Sequence, residues 1–276
     1  MIQLGIFSTL TAIRQKKQGV YLVDDDGDEV LLPNKYIPED LKPGDKLSVF
    51  VYTDSEDRLV ATTVRPKILL HEFACLRVNQ VTPFGAFLDW GLEKDLFVPF
   101  KEQRVKMKEG QSHIIYLYND EESDRLVGSA RINRFLEKEN ISVREGEEVD
   151  LLIGKATPLG MNVIINNLYA GLIFKNEIFQ NLDMGDRIKG YVKKIRPDNK
   201  IDVSLQKQGY GNIEPSADRI LDYLKVNNGR LGLTDKSPAP EIMAICQMSK
   251  KSFKKAIGAL YKKKLIRLEK DGIYLL

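Results

Sequence analysis

The sequence predicts a mainly β chain with a C-terminal α+β module: three tandem five-stranded β-barrels, then three helices and a hairpin. Three observations carry this. A two-strand unit with a polar turn occurs three times along the chain. Upstream of each unit lies a strand pattern interrupted by glycine. Beyond Gly211 the apolar residues change from alternation to helical spacing.

The first closing unit runs from Gly44-Asp45-Lys46-Leu47-Ser48-Val49-Phe50-Val51-Tyr52 into Asp57-Arg58-Leu59-Val60-Ala61. The second runs from Gly110-Gln111-Ser112-His113-Ile114-Ile115-Tyr116-Leu117-Tyr118 into Asp124-Arg125-Leu126-Val127-Gly128. The third runs from Gly185-Asp186-Arg187-Ile188-Lys189-Gly190-Tyr191-Val192 into Asn199-Lys200-Ile201-Asp202-Val203-Ser204-Leu205. Each is a β-hairpin by period and by turn chemistry. Recurrence of strands at long intervals points to tandem small β-modules. The upstream halves also match: Val81-Thr82-Pro83-Phe84-Gly85-Ala86-Phe87-Leu88-Asp89, Ala156-Thr157-Pro158-Leu159-Gly160-Met161-Asn162-Val163-Ile164, and the shorter Gln18-Gly19-Val20-Tyr21-Leu22. Glycine inside a strand marks a bulge or a bend at a barrel corner. Five short strands with a bent second strand are the layout of an OB-type barrel.

The run Phe84-Gly85-Ala86-Phe87-Leu88-Asp89, followed by Leu96-Phe97-Val98-Pro99, resembles the strand-two and strand-three signature of S1 RNA-binding domains. The likeness is specific in the second copy and good in the third. In the first copy it rests mainly on the closing hairpin.

The C-terminal segment reads as helices. Ser216 is expected to cap a helix through Ile220, Leu221 and Leu224, ended by Asn227-Asn228-Gly229. Pro238 and Pro240 open a second helix. Ser249 caps a third, with Phe253, Ala256, Ile257 and Leu260 as its apolar stripe. Leu265–Leu268 and Gly272–Leu275 finish the chain as two strands. Three helices and a hairpin make a winged helix-turn-helix, with the third helix facing a groove. The modules are expected at residues 1–66, 67–140, 141–211 and 212–276. That order resembles the conserved virulence factor B family of Gram-positive bacteria over essentially the whole chain. The resemblance implies an RNA-binding regulator of gene expression rather than a metabolic enzyme.

Net charge over the 276 residues is +3, and the four segments carry −3, −1, +1 and +6 in order. Positive charge therefore gathers at the C-terminal end, as expected for contact with a polyanion, although solvated lysine faces would look the same. No apolar run reaches the ~20 residues of a membrane-spanning helix. Ile2–Leu10 reads as a first strand rather than a secretion signal. The two cysteines, Cys75 and Cys246, fall in different modules and build no disulfide framework, so a cytoplasmic protein is expected.

Single-stranded RNA is gripped by rings that stack on bases and by cations along phosphates. The S1 resemblance puts ring positions on either side of the strand-two glycine. These are Phe84 and Phe87 in the second copy, Gln18 and Tyr21 in the first, and Leu159 and Asn162 in the third. It also implies a histidine at the end of strand three. There the second copy has Val98-Pro99 and the third has Phe174. The stacking candidates are thus Phe84, Phe87, Phe174 and Tyr21, each of which would also suit a barrel core. The phosphate candidates are Lys189, Lys193, Lys194 and Arg196 in the third copy, with Lys250, Lys251, Lys254, Lys255 and Lys262 in the winged helix. Lysine supplies point charge, whereas base reading uses Arg, Asn or Gln, so little sequence specificity is expected. The acid-rich first copy, with Asp24-Asp25-Asp26-Gly27-Asp28-Glu29, is expected to be structural or to meet a protein partner.

Enzyme signatures are lacking. His71 and His113 share no metal-ligand spacing, and there is no phosphate loop or nucleophile elbow. An EF-hand register on the Asp24 run would put Leu22 and Pro33 at its end positions, so the run reads as a hairpin turn. No cofactor and no metal are expected. The partner expected is single-stranded RNA, with DNA through the winged helix, or a protein docking on residues 1–66, as the alternatives.

Overall fold

The computed structural model describes residues 2–206 and 213–276. The chain divides into two compact units, Met1–Phe135 and Leu136–Leu276. Among the described residues no helix is long and apolar enough to cross a membrane.

The first unit holds two β-modules. In the first, β1 (Phe7–Lys16), β2 (Gly19–Val23), β3 (Glu29–Pro33), β4 (Lys46–Thr53) and β5 (Leu59–Thr62) close in the order β1-β2-β3-β5-β4. Leu10, Ala12, Leu22, Val30, Leu32, Val49, Val51 and Ala61 alternate inward to fill it. The acidic run after β2 is a hairpin turn, in which Asp24 Oδ1 accepts from the Asp26 and Asp28 amides at 3.0 and 2.8 Å. In the second module, β6 (Phe73–Val81), β7 (Gly85–Asp89), β8 (Leu96–Pro99), β9 (Ser112–Asp120) and β10 (Arg125–Ser129) form a sheet in the order β10-β9-β6-β7-β8. The expected ring is not closed by hydrogen bonds here, because β8 and β10 share no ladder. Side chains fill the seam instead: a Cβ on Gly128 would lie 2.8 Å from Val98 Cγ2 and 3.1 Å from Leu96 Cδ2. The sequence grammar is the same in all three copies, so it does not distinguish a bonded seam from a packed one.

The second unit begins with a closed barrel of β11 (Glu148–Thr157), β12 (Gly160–Ile165), β13 (Tyr169–Phe174), β14 (Arg187–Ile195) and β15 (Ile201–Ser204). Its closure is the parallel β13–β15 ladder, Gly171 to Ile201 through Ile173 to Val203. Next come α1 (Ile213–Val226), β16 (Arg230–Leu231), α2 (Ala239–Cys246), α3 (Lys250–Lys262), β17 (Ile266–Glu269) and β18 (Gly272–Leu275). This is the winged helix, with its own core of Ile220, Leu224, Ile242, Met248, Phe253, Leu260 and Ile273. One expectation needs correcting. Ser216 does not cap α1, which starts earlier, at Ile213. Pro215 falls in the first turn, where its missing N–H has no helical partner to lose. Ser249 does cap α3, its hydroxyl accepting from the Ser252 amide at 3.0 Å. The sequence also concealed β16, two residues that add a third strand beside β18.

The three β-modules repeat in atomic detail. Each first strand slips register once, between Ala12 and Arg14, Val78 and Gln80, and Ile153 and Ala156. In each, the strand-two glycine faces the end of strand three: Gly19 against Pro33, Gly85 against Pro99, Gly160 against Phe174. A Cβ at these glycines would run into the carbonyl oxygens of Leu32, Val98 and Ile173. Close backbone approach, more than turn geometry, requires glycine there. Each fifth strand ends in a hydroxyl (Thr62, Ser129, Ser204) that accepts from the amide two residues on.

The first two modules also share a core. Phe50, Tyr52 and Val60 of the first pack with Ile68 of the connection and with Trp90, Leu92 and Leu117 of the second. Gly5 fits beneath this seam, where a Cβ would come within 2.9 Å of Leu126 Cδ2.

Candidate nucleic-acid interface

The outer face of β7 and β8 gathers aromatic rings. Ala86 and Leu88, and Leu96 and Val98, point into the core, so the intervening Phe87 and Phe97 point outward. They are direct cross-strand neighbours with ring centroids 5.1 Å apart. Phe84 stands just before the glycine bend and is 77% exposed. With Phe87 and Phe97 it lines one cleft, so the three rings make a contiguous apolar patch, the kind of surface that marks an interaction site. The backbone beneath it is held by Thr82, whose hydroxyl accepts from the Phe84 amide at 3.3 Å and donates to the Gly85 carbonyl at 3.2 Å. The Phe100 amide donates to the Phe84 carbonyl at 3.4 Å.

These rings border a cleft of about 290 Å³ whose far wall comes from the first module, through Tyr52 and Thr53. Lys94, Asp95 and Arg125 lie at its polar margin. Two of these charges are already engaged. Lys94 Nζ donates to the Asp54 carbonyl at 2.6 Å, and burial lowers its pKa. Arg125 pairs with Asp57. Asp95 accepts from Asn79 Nδ2 at 3.0 and 3.1 Å.

The other stacking candidates sit differently. Tyr21 occupies the place of Phe87 in the first barrel, opposite Leu31. Its ring is flanked by Arg14 at 4.7 Å and Lys16 at 5.0 Å. Arg14 in turn forks onto Glu29, which raises the arginine pKa. In the third barrel the corresponding pair is Asn162 and Leu172, without a ring. Leu159, the counterpart of Phe84, is 64% exposed. Phe174 is half-buried at the end of β13, in the register position of Pro99 rather than of Phe97, with the Arg196 guanidinium 5.5 Å from its centroid.

The third-barrel cations are mostly paired. Lys189 meets Asp150 at 2.7 Å, a hydrogen bond that raises its pKa. Lys193 pairs with Glu177, and Arg196 meets Asp202 at 2.8 Å, which raises the arginine pKa. Lys194 is exposed and has no ion pair among the described residues. Contact with phosphate would require Lys189, Lys193 and Arg196 to exchange a carboxylate for it.

The winged helix differs. Phe253, Ala256, Ile257 and Leu260 bury one face of α3. Lys251, Lys254, Lys255 and Lys262 cover the other, all exposed and none ion-paired among the described residues. Lys250 is half-buried and donates to the Lys236 carbonyl at 3.2 Å. Gly258 lies within the lysine face with nothing within 4 Å of where a Cβ would stand.

Two contributors escaped sequence reasoning. Phe97 was visible as part of the strand-three signature, and strand alternation with Leu96 and Val98 was the signal that it points outward. Tyr52 carried no signal, because its place depends on one module packing on the next.

Residues 218–275 match the CvfB-like winged helix domain, and residues 4–64 match the S1 domain. The S1 match falls on the module with the shortest strand-two signature. That module keeps the whole inward alternation of the barrel core, which rings on the surface do not affect. The protein named conserved virulence factor B from Staphylococcus epidermidis is 26% identical, over 90% of this chain and 87% of its own. Over most of its length this chain is similar to the conserved virulence factor B proteins. The Staphylococcus haemolyticus protein of that name is 25% identical over 99% of this chain and 94% of its own. The uncharacterized protein YitL of Bacillus subtilis is 26% identical over 96% and 91%. A solved structure described as a multidomain protein with nucleic acid binding domains, from Streptococcus pneumoniae, is 26% identical with a TM-score of 0.44, covering 99% of this chain and 98% of that one. The matched domains are of nucleic-acid-binding types, and no enzyme family is indicated.

Proposed function

We propose that this protein is a non-catalytic, cytoplasmic RNA-binding regulator of gene expression that takes single-stranded RNA with little overall sequence preference. The observation that carries the reading is the trio Phe84, Phe87 and Phe97 on one outer face, with Phe84 77% exposed. Rings in this arrangement suit unstacked bases, which duplexes do not present. The lysine face of α3 supplies phosphate contacts without base reading. The first barrel serves mainly as structural support, since its Phe50, Tyr52 and Val60 are buried in the core it shares with the second module. The staphylococcal relatives named as virulence factors support a regulatory role.

The test is fluorescence anisotropy of a labelled single-stranded RNA with the wild type, Phe84→Ala/Phe87→Ala, and a charge-reversed Lys250/Lys251/Lys254/Lys255 variant. Weaker binding by both variants is expected, together with poor competition by duplex DNA. Loss with the lysine variant alone, and effective competition by duplex DNA, would instead favour a DNA-binding regulator led by the winged helix.

A further inference from the structure

We propose that the cleft between the first two modules is a base-selecting pocket that takes one guanine, with Asp95 as the reading group. This rests on the single-strand RNA reading above and goes beyond it, because the rings alone select no base.

The cleft is about 290 Å³, at the small end of ligand pockets, which run about 300–1,000 Å³. That size suits a single base rather than a run of nucleotides. Phe84, Phe87 and Phe97 offer it π-faces. The polar margin is asymmetric. Lys94 is held by the Asp54 carbonyl and Arg125 by Asp57, so both cations are committed to the turn that follows β4. Asp95 is the remaining charge on the margin. Its described partner is the neutral Asn79 amide, which leaves acceptor capacity on both carboxylate oxygens.

An acceptor-only carboxylate beside stacking rings repels phosphate and rewards N–H donors. Guanine alone presents two parallel donors, N1–H and the 2-amino group, matching the two oxygens of a carboxylate. Adenine and cytosine offer an amino group beside an acceptor nitrogen, and uracil a single N–H between two carbonyls. The expected order is therefore guanine first and uracil last. The other modules lack this combination: Tyr21 is flanked by cations, and the third barrel has Asn162 and Leu172 in place of the rings.

The experiment is anisotropy titration of the full chain with labelled oligouridylates carrying G, inosine, A, C or U at one central position. A bidentate base contact corresponds to about 5- to 160-fold discrimination. The G-containing strand is expected to bind tighter than the all-U strand by a factor in that range. Inosine, which lacks the 2-amino group, should lose most of the gain. Asp95→Asn should abolish the preference, read as the ratio of G-strand to all-U affinity measured on the same variant, and a ratio equal to the wild type's would also overturn the inference. Equal affinity for G and U in the wild type, or an undiminished preference with inosine, overturns the inference. If binding then still depends on Phe84 and Phe87, the RNA-binding reading stands without it. If Phe84→Ala/Phe87→Ala leaves all-U binding unchanged, that underlying reading is what fails.

Discussion

Trp90 and Phe50 meet edge to face across the seam of the first two modules, with ring centroids 5.7 Å apart and planes at 78°. Phe50 is fully buried, and Trp90 is the only tryptophan of the sequence. Phe50→Ala is expected to cost about 3–5 kcal/mol, the usual range for truncating a buried aromatic. Urea titration followed by Trp90 emission checks this. The native emission should also shift to the red as water reaches the indole.

Two glycine substitutions should act in opposite directions. Gly85→Ala forces a methyl into the Val98 carbonyl and should destabilise by about 1–3 kcal/mol. Gly258→Ala adds a methyl in open space on a helix and should stabilise by up to about 1 kcal/mol. Denaturation midpoints of the two variants against the wild type decide the signs.

Phe97→Ala should weaken binding of single-stranded RNA by about 1–3 kcal/mol, the worth of one stacked base. Circular dichroism should remain native, since Phe97 points away from the core side of β8. Unchanged affinity would remove Phe97 from the interface.

Charge reversal of Lys251, Lys254, Lys255 and Lys262 should flatten the salt dependence of RNA binding. Each lost phosphate contact lowers the log–log slope by about 0.7 for single strands. Titrations across several salt concentrations measure the slope directly. An unaltered slope would mean that this face stays in solvent.

Alkaline pH should destabilise the first unit. Burial, with Glu102 and Asp120 nearby, pushes the Tyr118 phenol up to about 12. Burial also raises Tyr52. The unfolded phenol ionises near pH 10. Because the folded value is the higher, stability is whole below about pH 10 and falls as pH rises toward about 12. Urea midpoints on either side of about pH 10, with tyrosinate absorbance as a second readout, test this.

The repeat made most of the fold legible. The strand-two glycines, the closing hairpins and the Ser249 cap are local, and local chemistry is what a sequence displays. The open β8–β10 seam, the shared core around Trp90 and the short β16 depend on long-range packing, which leaves no periodic trace. At the candidate site, Phe84 and Phe87 could be named from their neighbours of the glycine bend. Tyr52 and the pairing of Lys189, Lys193 and Arg196 with Asp150, Glu177 and Asp202 could not, since each partner lies on another strand or turn. The Ser216 cap was misplaced for a different reason: a proline reads as a helix breaker unless it falls in the first turn.

The seam around Trp90 means that repeat boundaries are not the boundaries of cooperative folding. A cut at Pro66 would strip Phe50, Tyr52 and Trp90 of their cover and leave each fragment with an apolar scar prone to self-association. Residues 1–66 therefore make a poor bait when isolated, even though their five strands close a barrel of their own. The smallest piece of the N-terminal unit expected to open and close as a single foldon is the two-module pair.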